Sequence, residues 1–193
     1  MNSINFLVAG VGGQGTVLSG DILAEVGMVG GYDAKKSDVL GLAVRSGSVT
    51  SHVRWGNKVN SPMSMPGQVD YLLAFEPLEA LRSVEYLAPA STVILNEYRI
   101  PPVEVSTGKA RYPAEEEIRS ILAQACARLY AVNATQKAQE AGTVKVLNVM
   151  LLGVLSALLP LEAALWESVV ASYVPERLRE VNLKAFGIGR TLI

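Results

Sequence analysis

Cysteine occurs once, at Cys126, and histidine once, at His52, in a chain of 193 residues. One thiol cannot close an internal disulfide, build a thiolate-ligated zinc site or hold an iron–sulfur cluster, so redox-metal chemistry is not expected from this chain. Any histidine-based acid–base chemistry has to use His52. Charged residues are scarce, at 18%, and nearly balanced, with a net charge of −1. Without a run of Lys or Arg there is no electrostatic footprint for a phosphate backbone, which argues against nucleic-acid binding. Long apolar runs are missing as well. The most apolar stretch, from Val144 to Leu159, contains Lys145 and Asn148 and stops at Pro160. It falls short of the roughly 20 residues a bilayer span requires, so it is expected to be a buried helix rather than a membrane anchor. Met1-Asn2-Ser3 leads directly into apolar residues with no basic region or small-residue cleavage site, so the cytoplasm is the expected location.

What is present is core-forming material. Apolar residues make up 50% of the chain, enough for one domain spanning residues 1–193 and for an apolar interface besides. The β-prone run Ile4 to Ala9 ends in glycines, and Leu18, Ile22 and Val26 follow at helical spacing, which reads as strand, glycine turn and helix. Tyr71 to Phe75 and Thr92 to Leu95 are unbroken apolar runs flanking a helical stretch from Leu78 to Leu87, the pattern of parallel strands covered on both faces. Pro113 and Glu115, Glu116 and Glu117 open a further helix whose buried face is expected to include Ile118, Ile121, Leu122, Ala125 and Leu129. Between Ser48 and Trp55, Thr50, His52 and Arg54 share one strand face, expected to be wet, and Val49, Val53 and Trp55 the other. After Thr143 only helices are expected. The architecture implied is a three-layer α/β/α domain with a mostly parallel sheet and a helical C-terminal part.

Three features could carry chemistry. Gly10-Val11-Gly12-Gly13-Gln14-Gly15 fits G-x-G-x-x-G between a strand and a helix, where backbone amides at a helix start can hold an anion. Gly10, Gly12, Gly13, Gln14 and Gly15 are therefore candidate cofactor-binding residues, the alternative being that they only pack strand against helix. A nicotinamide cofactor would need an acid ending the second strand. Asp33 lies near the right distance but begins its segment and is followed by Lys35-Lys36. A polar stretch from Lys35 to Asp38, expected as a loop, continues through Arg45 to the strand at Ser48. Its hydroxyls and cations suit carboxylate or phosphate, which makes Ser37, Arg45, Ser46, Gly47, Ser48 and His52 candidates for contact with an anionic substrate. Asn148, alone within an apolar helix, needs a partner for its amide, either a neighbouring loop or subunit or a ligand.

These features, taken in order with Phe75-Glu76-Pro77-Leu78-Glu79-Ala80, Asn148 and Asn182-Leu183-Lys184-Ala185-Phe186, resemble the beta subunit of indolepyruvate ferredoxin oxidoreductase. That subunit is similar to the gamma domain of pyruvate and other 2-oxoacid:ferredoxin oxidoreductases. The resemblance covers nearly the whole chain and implies a Rossmann-like fold and a share in a thiamine diphosphate-dependent reaction that turns a 2-oxoacid into an acyl-CoA. It further implies that thiamine diphosphate, magnesium and iron–sulfur clusters reside in a larger partner subunit that passes electrons to ferredoxin. This chain would bind no cofactor alone and supply no catalytic residue or metal ligand. Coenzyme A would be a substrate whose access it shapes. The family's His-Gly-Met and Gln-Arg-Gly-Gly runs correspond here to Leu40-Gly41-Leu42 and Val44-Arg45-Ser46-Gly47, a departure that opens the choice of oxoacid to branched or aliphatic ones. An independent Rossmann-like nucleotide-binding oxidoreductase and a purely structural assembly subunit are the alternatives.

Overall fold

The computed structural model describes residues 3–41 and 47–193. Arg45 and Ser46 lie outside the described residues. Six strands form one sheet in the order β2-β3-β1-β4-β5-β6, with β1 Ile4–Val11, β2 Asp33–Leu40, β3 Ser48–Gly56, β4 Val69–Ala74, β5 Leu87–Asn96 and β6 Arg128–Val132. β1, β4, β5 and β6 pair in parallel, and β3 alone runs against its neighbours. The sheet is mixed and mostly parallel, as its unbroken apolar strands imply.

Alternation along β1 sorts the core into two layers. Phe6 and Val8 face helix α1 (Thr16–Val29) and the C-terminal helices α6 (Leu147–Ser156), α7 (Ala163–Tyr173) and α8 (Arg179–Gly189). Leu7 and Ala9 face α2 (Pro77–Arg82) and α4 (Glu115–Ala125). Two short helices, α3 (Val103–Ser106) and α5 (Ala134–Glu140), follow β5 and β6 in the chain. Every residue of α6 is buried, which explains why its sequence is apolar all round rather than amphipathic. Close approaches fix the helices on this side. A Cβ on Gly27 of α1 would meet the Trp55 indole at 2.3 Å, and one on Gly153 of α6 would meet the Phe186 carbonyl oxygen of α8 at the same distance. The Trp55 indole N–H donates to the Leu23 carbonyl at 3.0 Å, tying β3 to α1.

Four expectations need correction. The polar stretch from Lys35 to Asp38 is not a loop but edge strand β2. Its α1-facing side carries ions where apolar residues would normally pack. Lys36 Nζ bridges Asp21 at 2.6 Å and Asp38 at 2.8 Å, and the Ser51 hydroxyl donates to Asp38 at 2.5 Å. Leu129 belongs to edge strand β6, not to the helix before it, and Ile121 is 39% exposed, because α4 packs through Ile118 and Leu122, with Ala125 partly buried beside them. The helix expected from Leu78 to Leu87 ends at Arg82, and β5 already begins at Leu87. The polar face of β3 is not wet at its centre. His52 is 1% exposed because the segment between β3 and β4 folds over it, the Ser64 amide donating to His52 Nδ1 at 3.4 Å and the Tyr86 ring meeting it edge-on.

Candidate functional site

Strands before β1 in the sheet order follow it in the chain on one side, and β4 to β6 lie on the other. The order therefore reverses between β1 and β4, and the crevice beyond their C-terminal ends is where open α/β sheets bind ligands. The glycine loop fills that position. Gly13 and Gly15 take φ of 101° and 86°, the left-handed region that favours glycine, and Gly15 caps α1 with no side-chain hydrogen bond to the first-turn amides. Gln14 locks the loop in place. Its Oε1 accepts from the Val11 amide at 2.7 Å, and its Nε2 donates to the Phe75 carbonyl at 3.1 Å. Asn96, fully buried, donates to the same carbonyl at 2.9 Å and to Thr135 Oγ1 at 3.0 Å, so the ends of β4 and β5 and the start of α5 are held together.

Part of the loop serves packing. A Cβ on Gly10 would stand 2.6 Å from Thr16 Oγ1 and one on Gly15 3.1 Å from the Asn148 side chain, while the Gly12 amide already donates to the Gly47 carbonyl at 2.9 Å. Beyond Gly13, Gln14 and Gly15 a cleft of about 460 Å³ opens between the head of α1, α6 and the α7–α8 turn. Asn148 lines it at 5% exposure and has no hydrogen-bond partner among the described residues. The neighbouring loop bond expected for its amide is absent there, and the amide faces the cleft instead.

The candidate contact residues divide. Gly47 and Ser48 adjoin the glycine loop, since Ser48 pairs with Val11, but the Ser48 hydroxyl is donated to the buried Glu79 carboxylate at 2.5 Å. Ser37 and His52 face each other across β2 and β3, four residues back from the loop, or roughly 13 Å along the strand, on the side away from α1. Burial holds the His52 imidazole below its ordinary value of 6.5. The unfolded chain then takes the proton more readily than the folded one, so this contribution to stability is complete above that pH and fades as pH falls below it. The urea midpoint is expected to drop from about pH 7.5 to about pH 5.5, and His52→Gln should flatten that slope; an unchanged slope would remove His52 as its source.

Asp33 sits at the N-terminal end of β2, bonded to Lys35 Nζ at 2.7 Å and to the Val59 amide at 2.7 Å. The strand end nearest the glycine loop carries Val39 and Leu40 instead. The acid that would hold a nicotinamide ribose is thus at the wrong end and already paired.

The family model for pyruvate ferredoxin/flavodoxin oxidoreductase matches residues 5–192. The chain belongs to this family. A relative from Pyrococcus horikoshii, indolepyruvate oxidoreductase subunit IorB, is 38% identical over 98% of this chain and 95% of its own. The crystal structure of a keto/oxoacid ferredoxin oxidoreductase gamma subunit from Geobacter sulfurreducens superposes with a TM-score of 0.72 at 25% identity, covering 98% of this chain and 97% of that one. A 2-oxoglutarate:ferredoxin oxidoreductase from Magnetococcus marinus, with 2-oxoglutarate, coenzyme A and succinyl-CoA bound, shares the fold at a TM-score of 0.74 and 19% identity. The match covers all of this chain and 31% of that one. In this member of the oxidoreductase family the glycine loop stands at the sheet's switch point, and no helix among the described residues is long and apolar enough to cross a membrane.

Proposed function

We propose that the chain is the cluster-free subunit of a cytoplasmic, thiamine diphosphate-dependent 2-oxoacid:ferredoxin oxidoreductase, with indolepyruvate as the first candidate oxoacid and coenzyme A as acyl acceptor. The observation that carries this reading is a family match along residues 5–192 in a sequence with one cysteine. Thiamine diphosphate, magnesium and iron–sulfur clusters are not assigned to this chain, whose single cysteine cannot ligate a cluster. Those groups belong to a larger partner subunit, which this domain completes through apolar surface such as Met63 and Met65 in the segment after β3. Its glycine loop and the run from Arg45 to Ser48 stand at the substrate or coenzyme A path.

Co-expression with the thiamine-binding subunit tests this directly. The purified complex should reduce ferredoxin or a viologen dye in the presence of indolepyruvate and coenzyme A, and the isolated chain should not. Turnover by the isolated chain would overturn the assignment, as would full activity of the partner alone. A panel of aryl, branched-chain and aliphatic oxoacids then ranks the substrates. Within the same assay Arg45→Ala should lower kcat/KM by about ten- to a hundredfold, through loss of a charged hydrogen bond to a carboxylate or phosphate, without impairing assembly. Wild-type kinetics toward both oxoacid and coenzyme A would reassign Arg45 to the exterior.

A further inference from the structure

Glu79 is a buried charge in the first turn of α2. An acid there suits the helix dipole, but that interaction needs no burial, and acidic side chains are seldom removed from water without a partner that compensates for it. Arg82, its ion-pair partner at 2.5 Å, is itself half exposed, so an uncharged side chain of the same size would fill the position and leave Arg82 in water. What the carboxylate adds is a bond outside its own helix. Its Oε2 accepts the Ser48 hydroxyl at 2.5 Å, at the start of β3. Ser48 is a junction. It pairs with Val11, the last residue of β1, and its carbonyl oxygen accepts the Gly41 amide at 3.0 Å. The residue before it, Gly47, offers the carbonyl that takes the Gly12 amide at 2.9 Å. Gly12 opens the glycine loop, and Gly41 and Gly47 flank the residues among which Arg45 lies. Further along the same loop Gln14 is held by the Phe75 carbonyl, two residues before α2. The stretch from Phe75 to Glu79 therefore holds the loop at two points, at Gln14 through a backbone carbonyl and at Gly12 through Glu79, Ser48 and Gly47.

We propose that Glu79 is a positioning residue: through Ser48 it sets the place of the Gly47 carbonyl, and with it the Gly12 limb of the glycine loop and the two glycines that flank the Arg45 run. It acts through these residues rather than on a reactant. Its effect on turnover rests on the functional reading above, whereas its effect on the loop is a property of the chain alone.

Glu79→Met tests it, since methionine keeps the volume and the helix while removing the bond to Ser48. The melting temperature should stay within about 2 °C of wild type or rise. In nuclear magnetic resonance of the full chain, exchange of the Gly12 amide should quicken by about tenfold or more. The Ala80 and Ser83 amides, bonded to the Glu76 and Ala80 carbonyls, should keep their rates because α2 is intact. Glu79→Gln retains an acceptor for the Ser48 hydroxyl and should leave Gly12 near its wild-type rate. Ser48→Ala deletes the same bond without touching α2, so it should match Glu79→Met, and combining the two should add nothing. In the assembled complex Glu79→Met should lower kcat/KM by about ten- to a hundredfold, the scale of a misplaced group, and Glu79→Gln should restore most of it. Unchanged Gly12 exchange in Glu79→Met and Ser48→Ala would overturn the proposal. So would an equal effect of Glu79→Gln, or wild-type kcat/KM in an active complex whose Gly12 exchange has quickened. A complex in which even the wild-type chain supports no turnover would strike the functional reading alone, and Gly12 exchange would then decide the proposal.

Discussion

Gly153→Ala is expected to lower the melting temperature by roughly 6–12 °C, although alanine is the better helix former. The added Cβ would stand 2.3 Å from the Phe186 carbonyl oxygen and 3.1 Å from Gly189 Cα, and both obstacles are backbone. Neither can swing aside as a side chain would. Gly189 makes the reciprocal approach, its own Cβ meeting the Met150 carbonyl oxygen at 2.0 Å. Prising α6 from α8 costs about 3 kcal/mol by analogy with overpacked cores, and a domain of this size loses roughly 2–4 °C per kcal/mol. Gly187→Ala provides the control within α8. No atom lies within 4 Å of the Cβ it would gain, so the same substitution there, two residues before Gly189, should raise stability, by up to about 1 kcal/mol. Thermal melts that moved in the same direction for both variants would refute the close-crossing account.

Glu76→Ala should cost about 3 kcal/mol or more, measured by urea denaturation. The Glu76 carboxylate is fully buried and receives four donors. Oε2 takes the Leu78 amide at 2.6 Å and the Glu79 amide at 3.1 Å, capping α2, while Oε1 takes the Ile100 amide at 3.1 Å and the Tyr112 hydroxyl. Deleting it strands those donors away from water, and each unsatisfied buried group costs about 1–3 kcal/mol. A second readout separates this network from a simple packing defect. Burial and then the adjoining Glu76 carboxylate hold the Tyr112 hydroxyl well above the usual tyrosine range. In Glu76→Gln the charge is gone and the size retained, so Tyr112 should ionise at lower pH in an ultraviolet titration. No movement of the Tyr112 transition would mean that the carboxylate does not act on it.

The central strands and α6 were readable from sequence because both their faces, or all their sides, touch apolar neighbours. The two edge strands were not. β2 replaces the apolar α1-facing positions with the Lys36, Asp21, Asp38 and Ser51 ion network, so its composition resembles a loop, and β6, five residues long, merges with the periodicity of α4. The buried state of His52 was hidden for a related reason, since the segment that covers it carries prolines and methionines rather than a periodic signal. The glycine loop was legible as a candidate, but the division of labour within it was not. Gln14 turns its side chain to the loop's own scaffold and Gly12 donates to Gly47, while Gly13, Gly15 and Leu18 at the head of α1 line the cleft. The cleft itself draws Tyr98, Lys145, Asn148 and Tyr173 from three separated stretches, so no local pattern could announce it. Asn148 was the one trace, an amide where the helix wanted hydrocarbon.

The complete enclosure of α6 also bears on how the molecule opens in time. A helix on the surface can fray or detach by itself, but α6 has the sheet, α1, α5, α7 and α8 around it and no face turned to water. Its amides can reach solvent only when several of those neighbours have already left, which is the condition for exchange through global unfolding. Deuterium should therefore enter residues 150–156 last, at a rate set by the whole-molecule equilibrium and equally slow for all of them. A protease should likewise find no early cut there, and the surviving fragment of a partial digest should contain this helix.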